Sequence, residues 1–255
     1  MSLMEIKNLN KSFGGLNAVL NVNFRLEQNE LVGLIGPNGA GKTTVFNLIT
    51  GVYKPDEGSI VFRDKDIIGL APYTICARGI ARTFQNIRLF NDLTVLDNVK
   101  IACHKDVQYG LLSAIVRTPG FFKGEQQIEQ EALKYLQIFK LDNKKDEMAN
   151  NLPYGEQRRL EIARALATRP TMLILDEPAA GMNPQETQEL MKLIKWIRKD
   201  FNLSILLIEH DMSLVMGVCE RIYVLDYGQI IAAGLPEEIR NNKKVIEAYL
   251  GEEVD

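Results

Sequence analysis

The residues Gly36-Pro37-Asn38-Gly39-Ala40-Gly41-Lys42-Thr43 satisfy the spacing G-x-x-x-x-G-K-[ST]. Glycines in this pattern let successive backbone N–H groups turn inward around phosphate oxygens without Cβ clashes. A helix that starts where the loop ends adds the partial positive charge of its N-terminus. Lys42 is then placed to reach the β and γ phosphates of a nucleotide, the Thr43 hydroxyl to ligate Mg²⁺, and Thr44 to continue the contact. A second constellation is Asp176-Glu177, two carboxylates that close the apolar run Met172-Leu173-Ile174-Leu175. The first can hold Mg²⁺, mostly through water, and the second can orient and polarise an attacking water. Gln85 in Arg82-Thr83-Phe84-Gln85 and His210 in Ile208-Glu209-His210-Asp211 also follow strand-like runs. Ligands gather at the carboxyl ends of strands in such sheets, so both join the candidate site.

These groups need elements to hold them. Short apolar runs alternate with helical patterns, the rhythm of a layered α/β protein on a mostly parallel sheet. Met172–Leu175 and Ile205-Leu206-Leu207-Ile208 are continuous in apolar residues, as strands covered on both faces are. The phosphate-loop octet follows the apolar run Leu31–Ile35 and precedes a helical stretch, Thr44–Ile49. Leu190, Leu193, Ile194, Ile197 and Phe201 follow helical spacing after Asn183, an expected N-cap, and Pro184 in the first turn. Residues 1–62 read as richer in strands, with Met4–Leu9 as one and a hairpin expected from Ala18 to Val32. A mainly helical stretch is expected from Asn86 to Thr168, interrupted by a Gly- and Pro-containing segment from His104 to Gly124. Lys100, Lys105, Arg117 and Lys123 against Asp106 give residues 100–123 a net charge of +3. That segment reads as a solvated insertion or as a contact surface for a partner or lipid headgroups.

Composition excludes several classes. A chain of 255 residues with 46% apolar and 25% charged content can bury a real core. Its balance of 30 Lys plus Arg against 33 Asp plus Glu, net −3, argues against bulk-charge binding to nucleic acid. Cys76, Cys103 and Cys219 are widely separated and in no ligand spacing, so neither a disulfide framework nor a zinc site is expected. The N-terminus lacks the basic start and apolar core of a signal peptide, and no stretch approaches 18 uncharged apolar residues. The chain is expected not to cross a membrane by itself.

With these residues in view, the chain resembles the ATP-binding subunits of ABC transporters over essentially its whole length. The phosphate loop, Gln85, the signature region Leu152-Pro153-Tyr154-Gly155-Glu156-Gln157-Arg158-Arg159-Leu160, Asp176-Glu177-Pro178 and His210 stand in the family's order. Phe13, 23 residues before Gly36, sits where the family places an aromatic against adenine; alone it reads as core. Arg88-Leu89-Phe90, Glu177 through Pro184, and Ile239-Arg240-Asn241-Asn242 through Glu252 extend the likeness to the LivG-type subunits of branched-chain amino acid uptake systems. Three positions depart from the wider pattern. Pro153 and Tyr154 replace the signature's serine and first glycine, and Asn183 stands where an Asp is usual.

The resemblance implies a single ABC ATPase domain, 1–255. It would comprise a P-loop core with a mostly parallel sheet, an antiparallel β subdomain, a helical subdomain over about 86–168 including the 104–124 insertion, and a C-terminal helical tail, 236–255. It further implies ATP and Mg²⁺ as ligands, with Thr43, Gln85 and Asp176 toward the metal. Tyr154, Gly155 and Glu156 would face nucleotide held by an opposing subunit, and Lys42, Gln85, Glu177 and His210 would carry hydrolysis to ADP and phosphate. The implied partners are membrane permease subunits, a second ATP-binding subunit that is either a related chain or a second copy, and indirectly an extracytoplasmic amino-acid-binding protein. No nucleic acid is implied, and the implied location is peripheral, on the cytoplasmic face of the cell membrane. Lipopolysaccharide export and a soluble, non-transport ABC ATPase are the alternatives.

Overall fold

The computed structural model describes residues 2–106 and 111–250. In chain order its elements begin with β1 (Ser2–Phe13), β2 (Leu16–Glu27), β3 (Leu31–Ile35), α1 (Lys42–Ile49), β4 (Glu57–Phe62), β5 (Lys65–Asp66), α2 (Pro72–Ala77) and β6 (Ile80–Arg82). Four helices follow: α3 (Val95–Cys103), α4 (Leu111–Val116), α5 (Pro119–Ile138) and α6 (Tyr154–Ala167). The chain then runs through β7 (Met172–Asp176), α7 (Pro184–Asp200), β8 (Ser204–Ile208), α8 (Met212–Val218), β9 (Arg221–Asp226), β10 (Gln229–Gly234), α9 (Pro236–Arg240) and α10 (Lys243–Leu250). Two compact units result: Met1–Arg82 with Thr171–Asp255, and Thr83–Pro170.

The first unit is an α/β layer structure. Its six-stranded sheet has the order β10-β9-β3-β8-β7-β6, parallel from β9 to β6 with β10 antiparallel at the edge. Every residue of β3, β7 and β8 is buried, as the two apolar runs predicted. One face packs on α1 through Val45, Phe46 and Ile49, in a core shared with the antiparallel sheet β2-β1-β4-β5. The other face meets α8, where a Cβ on Gly33 would stand 3.0 Å from Cys219 Sγ and 3.5 Å from Val215.

The hairpin is not where the sequence reading put it. Gly14 and Gly15, at φ +53° and +87°, turn β1 into β2, whereas β2 and β3 lie in different sheets. Two consecutive left-handed residues are what a two-residue hairpin loop requires, and a glycine pair supplies them without strain. β2 is buried along one face and β3 along both, so they could not share a one-sided sheet.

Asn183 caps α7 as expected. Its side chain accepts from Gln185 N and Glu186 N, both at 3.0 Å, and Glu186 returns a bond to Asn183 N at 2.9 Å. This capping box uses the amide oxygen as it would a carboxylate.

The second unit is helical. α3 packs on α5 and α6, and α5 on α6. The His104–Gly124 break is narrower than the sequence suggests. Thr118 caps α5, Pro119 occupies its first turn, and Gly120 and Gly124 lie inside the helix. Proline needs no N–H at that position, so it starts a helix here rather than ending one. Residues 107–110 of that segment lie outside the described residues.

Candidate nucleotide site

The phosphate loop leaves the carboxyl end of β3 and enters α1, with Gly41 as N-cap at φ +103°. Its glycines answer to packing as well as to phosphate. A Cβ on Gly36 (φ +150°) would lie 1.9 Å from Leu225 O, and one on Gly41 would lie 2.3 Å from Ala18 O. Gly39, at φ +81°, faces open space. Ala40 is buried, and its carbonyl accepts from Gly228 N at 2.9 Å. The loop is therefore clamped between β9 and β2, with one side open.

Lys42 is almost fully buried, and its ammonium donates to Gly36 O at 2.6 Å and to Pro37 O at 2.9 Å. Burial lowers its pKa, while the charges of Glu177 and Asp176 push it back up. The pattern-matched lysine and both strand-end carboxylates therefore share one electrostatic site. Thr43 is exposed and Thr44 half-buried. Phe13 is not core. It stands 42% exposed at the end of β1, edge-on to Tyr53 at 5.2 Å, with Lys11 Nζ 5.3 Å from its ring centre.

Asp176 is the last residue of β7 and pairs with Ile208 at the end of β8. Glu177 follows in the left-handed region at φ +42°, its N–H donating to Ile208 O at 2.8 Å. A non-glycine residue held there costs of order 1 kcal/mol, which suits a side chain whose direction matters more than local comfort. Glu177 Oε2 stands 3.5 Å from His210 Nδ1.

Sequence reasoning quoted Glu209 but gave it no task. Its carboxylate is fully buried and accepts three backbone N–H bonds, from Ala179 at 2.9 Å, His210 at 2.8 Å and Asp211 at 3.1 Å. It ties the loop after Glu177 to the loop after β8, and so sets the separation of Glu177 and His210. The available signal was a carboxylate directly after four buried apolar residues, where a charge must find donors. We expect Glu209→Ala to lower stability by about 2–3 kcal/mol, because one buried and two part-buried N–H groups lose their acceptor. Urea unfolding of the full chain checks this, and a loss below about 0.5 kcal/mol would contradict it.

Gln85, Tyr154, Gly155 and Glu156 belong to the second unit. α6 opens at Tyr154 with Pro153 as N-cap, which supplies no side-chain acceptor. The Tyr154 hydroxyl instead accepts from Arg158 Nη2 at 3.2 Å, and Glu156 pairs with Lys144 at 2.6 Å. Arg158 is fully buried and donates to Phe84 O at 2.6 Å, Gln85 O at 2.7 Å and Glu161 Oε2 at 2.8 Å. Glu161 Oε1 accepts from Phe84 N at 3.3 Å and Arg88 N at 3.2 Å. Burial pushes the Glu161 carboxyl up, and Arg158 opposes that shift. The backbone around Gln85 is thus gripped from the helix that carries the signature residues. Neither Arg158 nor Glu161 was singled out by the sequence pattern.

Mg²⁺ fits the donors of the first unit. A threonine hydroxyl and a strand-end carboxylate are hard oxygen ligands, and such an ion takes one or two of them together with substrate phosphates. Among the described residues no cluster of three or more His, Cys, Asp or Glu could hold a metal alone.

A family model described as "ABC transporter" matches residues 19–180, and one described as "Branched-chain amino acid ATP-binding cassette transporter" matches residues 229–255. The chain is 51% identical over 250 residues to the high-affinity branched-chain amino acid transport ATP-binding protein LivG of Escherichia coli K12, covering 98% of each. It is 46% identical over 250 residues to BraF of Pseudomonas aeruginosa, a protein of the same description, again covering 98% of each. Its fold superposes with a TM-score of 0.85 on the ADP conformation of MJ1267, an ATP-binding cassette of an ABC transporter, at 33% identity over 99% of this chain and 100% of the other. A buried lysine among loop carbonyls, two carboxylates at the sheet's carboxyl edge and full-length likeness lead to one assignment: the chain belongs to the ABC transporter family, as one of its ATP-binding cassettes.

Proposed function

We propose that this chain hydrolyses ATP to drive the import of branched-chain amino acids through membrane permease subunits. The observation that carries the reading is the convergence of Lys42, Asp176, Glu177 and His210 at one edge of the parallel sheet. Lys42 counters charge on the β and γ phosphates, for which it exchanges its bonds to the loop carbonyls. Glu177 orients the attacking water and takes its proton, and His210 holds the same water and the γ-phosphate in line. Thr43 and Asp176, with Gln85 as the family resemblance implies, would hold Mg²⁺, which would supply neutralisation of the charge on the phosphates. Phe13 stacks on adenine. Gly36 to Thr44 contribute backbone and hydroxyl donors.

Tyr154, Gly155 and Glu156 face nucleotide on an opposing ATP-binding subunit, either a related chain or a second copy. ATP then stabilises the closed pair because it touches both halves only there. The chain acts peripherally on the cytoplasmic side of the membrane, and an extracytoplasmic amino-acid-binding protein delivers cargo on the other side. Among the described residues no helix is long and apolar enough to cross a membrane.

The test is Mg²⁺-dependent ATP affinity of the purified chain beside its Lys42→Ala variant. The variant should bind about 10- to 100-fold more weakly, as expected for a lost charge-assisted contact to phosphate. Equal affinities would remove the phosphate-loop reading. Leucine uptake by vesicles holding the permease and both ATP-binding subunits then tests the cargo.

A further inference from the structure

From within α4 into the first turns of α5 the run Ser113–Lys123 contains no carboxylate and two cations, Arg117 and Lys123, in a chain of net charge −3. It is a built turn. Thr118 N donates to Ser113 O at 3.2 Å, the Ser113 and Thr118 hydroxyls are hydrogen-bonded, and Thr118 Oγ1 accepts from Phe121 N at 3.4 Å. Arg117 takes the left-handed conformation at φ +54° to close it. The result holds Ile115, Val116 and Phe122 outward at 69%, 71% and 59% exposure, with Arg117 and Lys123 exposed beside them. Glu125, the next carboxylate, faces Lys100 at 3.6 Å and His104 at 3.4 Å.

Three large apolar side chains on a fixed turn are costly in water and favourable against an apolar phase. Their companions decide which phase. Apolar residues flanked by cations and by no carboxylate match acyl chains beneath anionic headgroups.

We propose that this turn is a membrane-surface contact, in which Ile115, Val116 and Phe122 enter the acyl boundary while Arg117 and Lys123 meet anionic lipid phosphates. The proposal rests on the transport reading only for bringing the chain to a membrane. The two fail separately, because lipid binding is read without permease and ATP turnover without lipid.

The experiment is flotation of the full chain with vesicles of phosphatidylcholine and phosphatidylglycerol at about two to one, and with phosphatidylcholine alone. Wild type should float with the anionic vesicles and lose binding as salt rises. The combined Ile115→Ser, Val116→Ser and Phe122→Ser variant should partition about tenfold less, and Arg117→Gln with Lys123→Gln should lose the anionic preference by a similar factor. Both variants should keep their ATP affinity, since these side chains are exposed. Absence of flotation by wild type would overturn the proposal, as would variants that float with the anionic vesicles as well as wild type does. A third overturning result is variants that float normally but lose binding to detergent-solubilised permease, which would make the turn a protein contact.

Discussion

Replacing Glu177 by Gln is expected to lower steady-state ATP turnover by about 10²- to 10⁴-fold while leaving ATP affinity within about threefold. The amide keeps the length and shape of the side chain, and Glu177 N–H still donates to Ile208 O, so the left-handed residue stays in place. What disappears is a proton acceptor 3.5 Å from His210 Nδ1. Lys42 also loses one of the two carboxylates that support its charge, but it keeps Asp176 and the carbonyls of Gly36 and Pro37. Binding and hydrolysis therefore separate. Phosphate release under saturating ATP and equilibrium ATP binding are the paired measurements. Turnover within about tenfold of wild type would deny Glu177 the role of base.

The parts of the site that repeat a local pattern were legible in the sequence. The octet announces itself because a glycine-lysine-threonine spacing on a strand-to-helix turn does one thing well. Asp176 and Glu177 were visible because a pair of charges ends an uninterrupted apolar strand. α7 was visible from Asn183, Pro184 and the spacing of Leu190, Ile194 and Ile197. What stayed hidden depends on approach through space. Gly36 must be glycine because Leu225 O, nearly 190 residues away, would touch its Cβ. Glu209 and Glu161 each look like ordinary polar residues until three N–H groups, or two N–H groups and a guanidinium, are brought to them by different segments. The Ala18–Val32 hairpin failed for a related reason. Burial on one face or on two sends β2 and β3, neighbours in sequence, to different sheets.

Arg158→Met should cost about 3–5 kcal/mol, since it removes the guanidinium paired with the buried Glu161 carboxylate and takes a donor from the carbonyls of Phe84 and Gln85. The cost is mostly that of an uncompensated charge, not of the pair's own attraction. Arg158→Met combined with Glu161→Leu should therefore recover a large part of it, because neither charge then remains. Recovery in stability need not restore position. The double variant lacks both the guanidinium that donates to the Phe84 and Gln85 carbonyls and the carboxylate that accepts from Phe84 N and Arg88 N, so these two amides should exchange hydrogen faster than in wild type. Urea unfolding followed by helical signal, together with amide exchange, separates the two effects. If the double variant were as unstable as the single one, the pair would be holding more than its own charges. If exchange at Phe84 and Arg88 were unchanged, the grip on the Gln85 loop would have to come from elsewhere than Arg158 and Glu161.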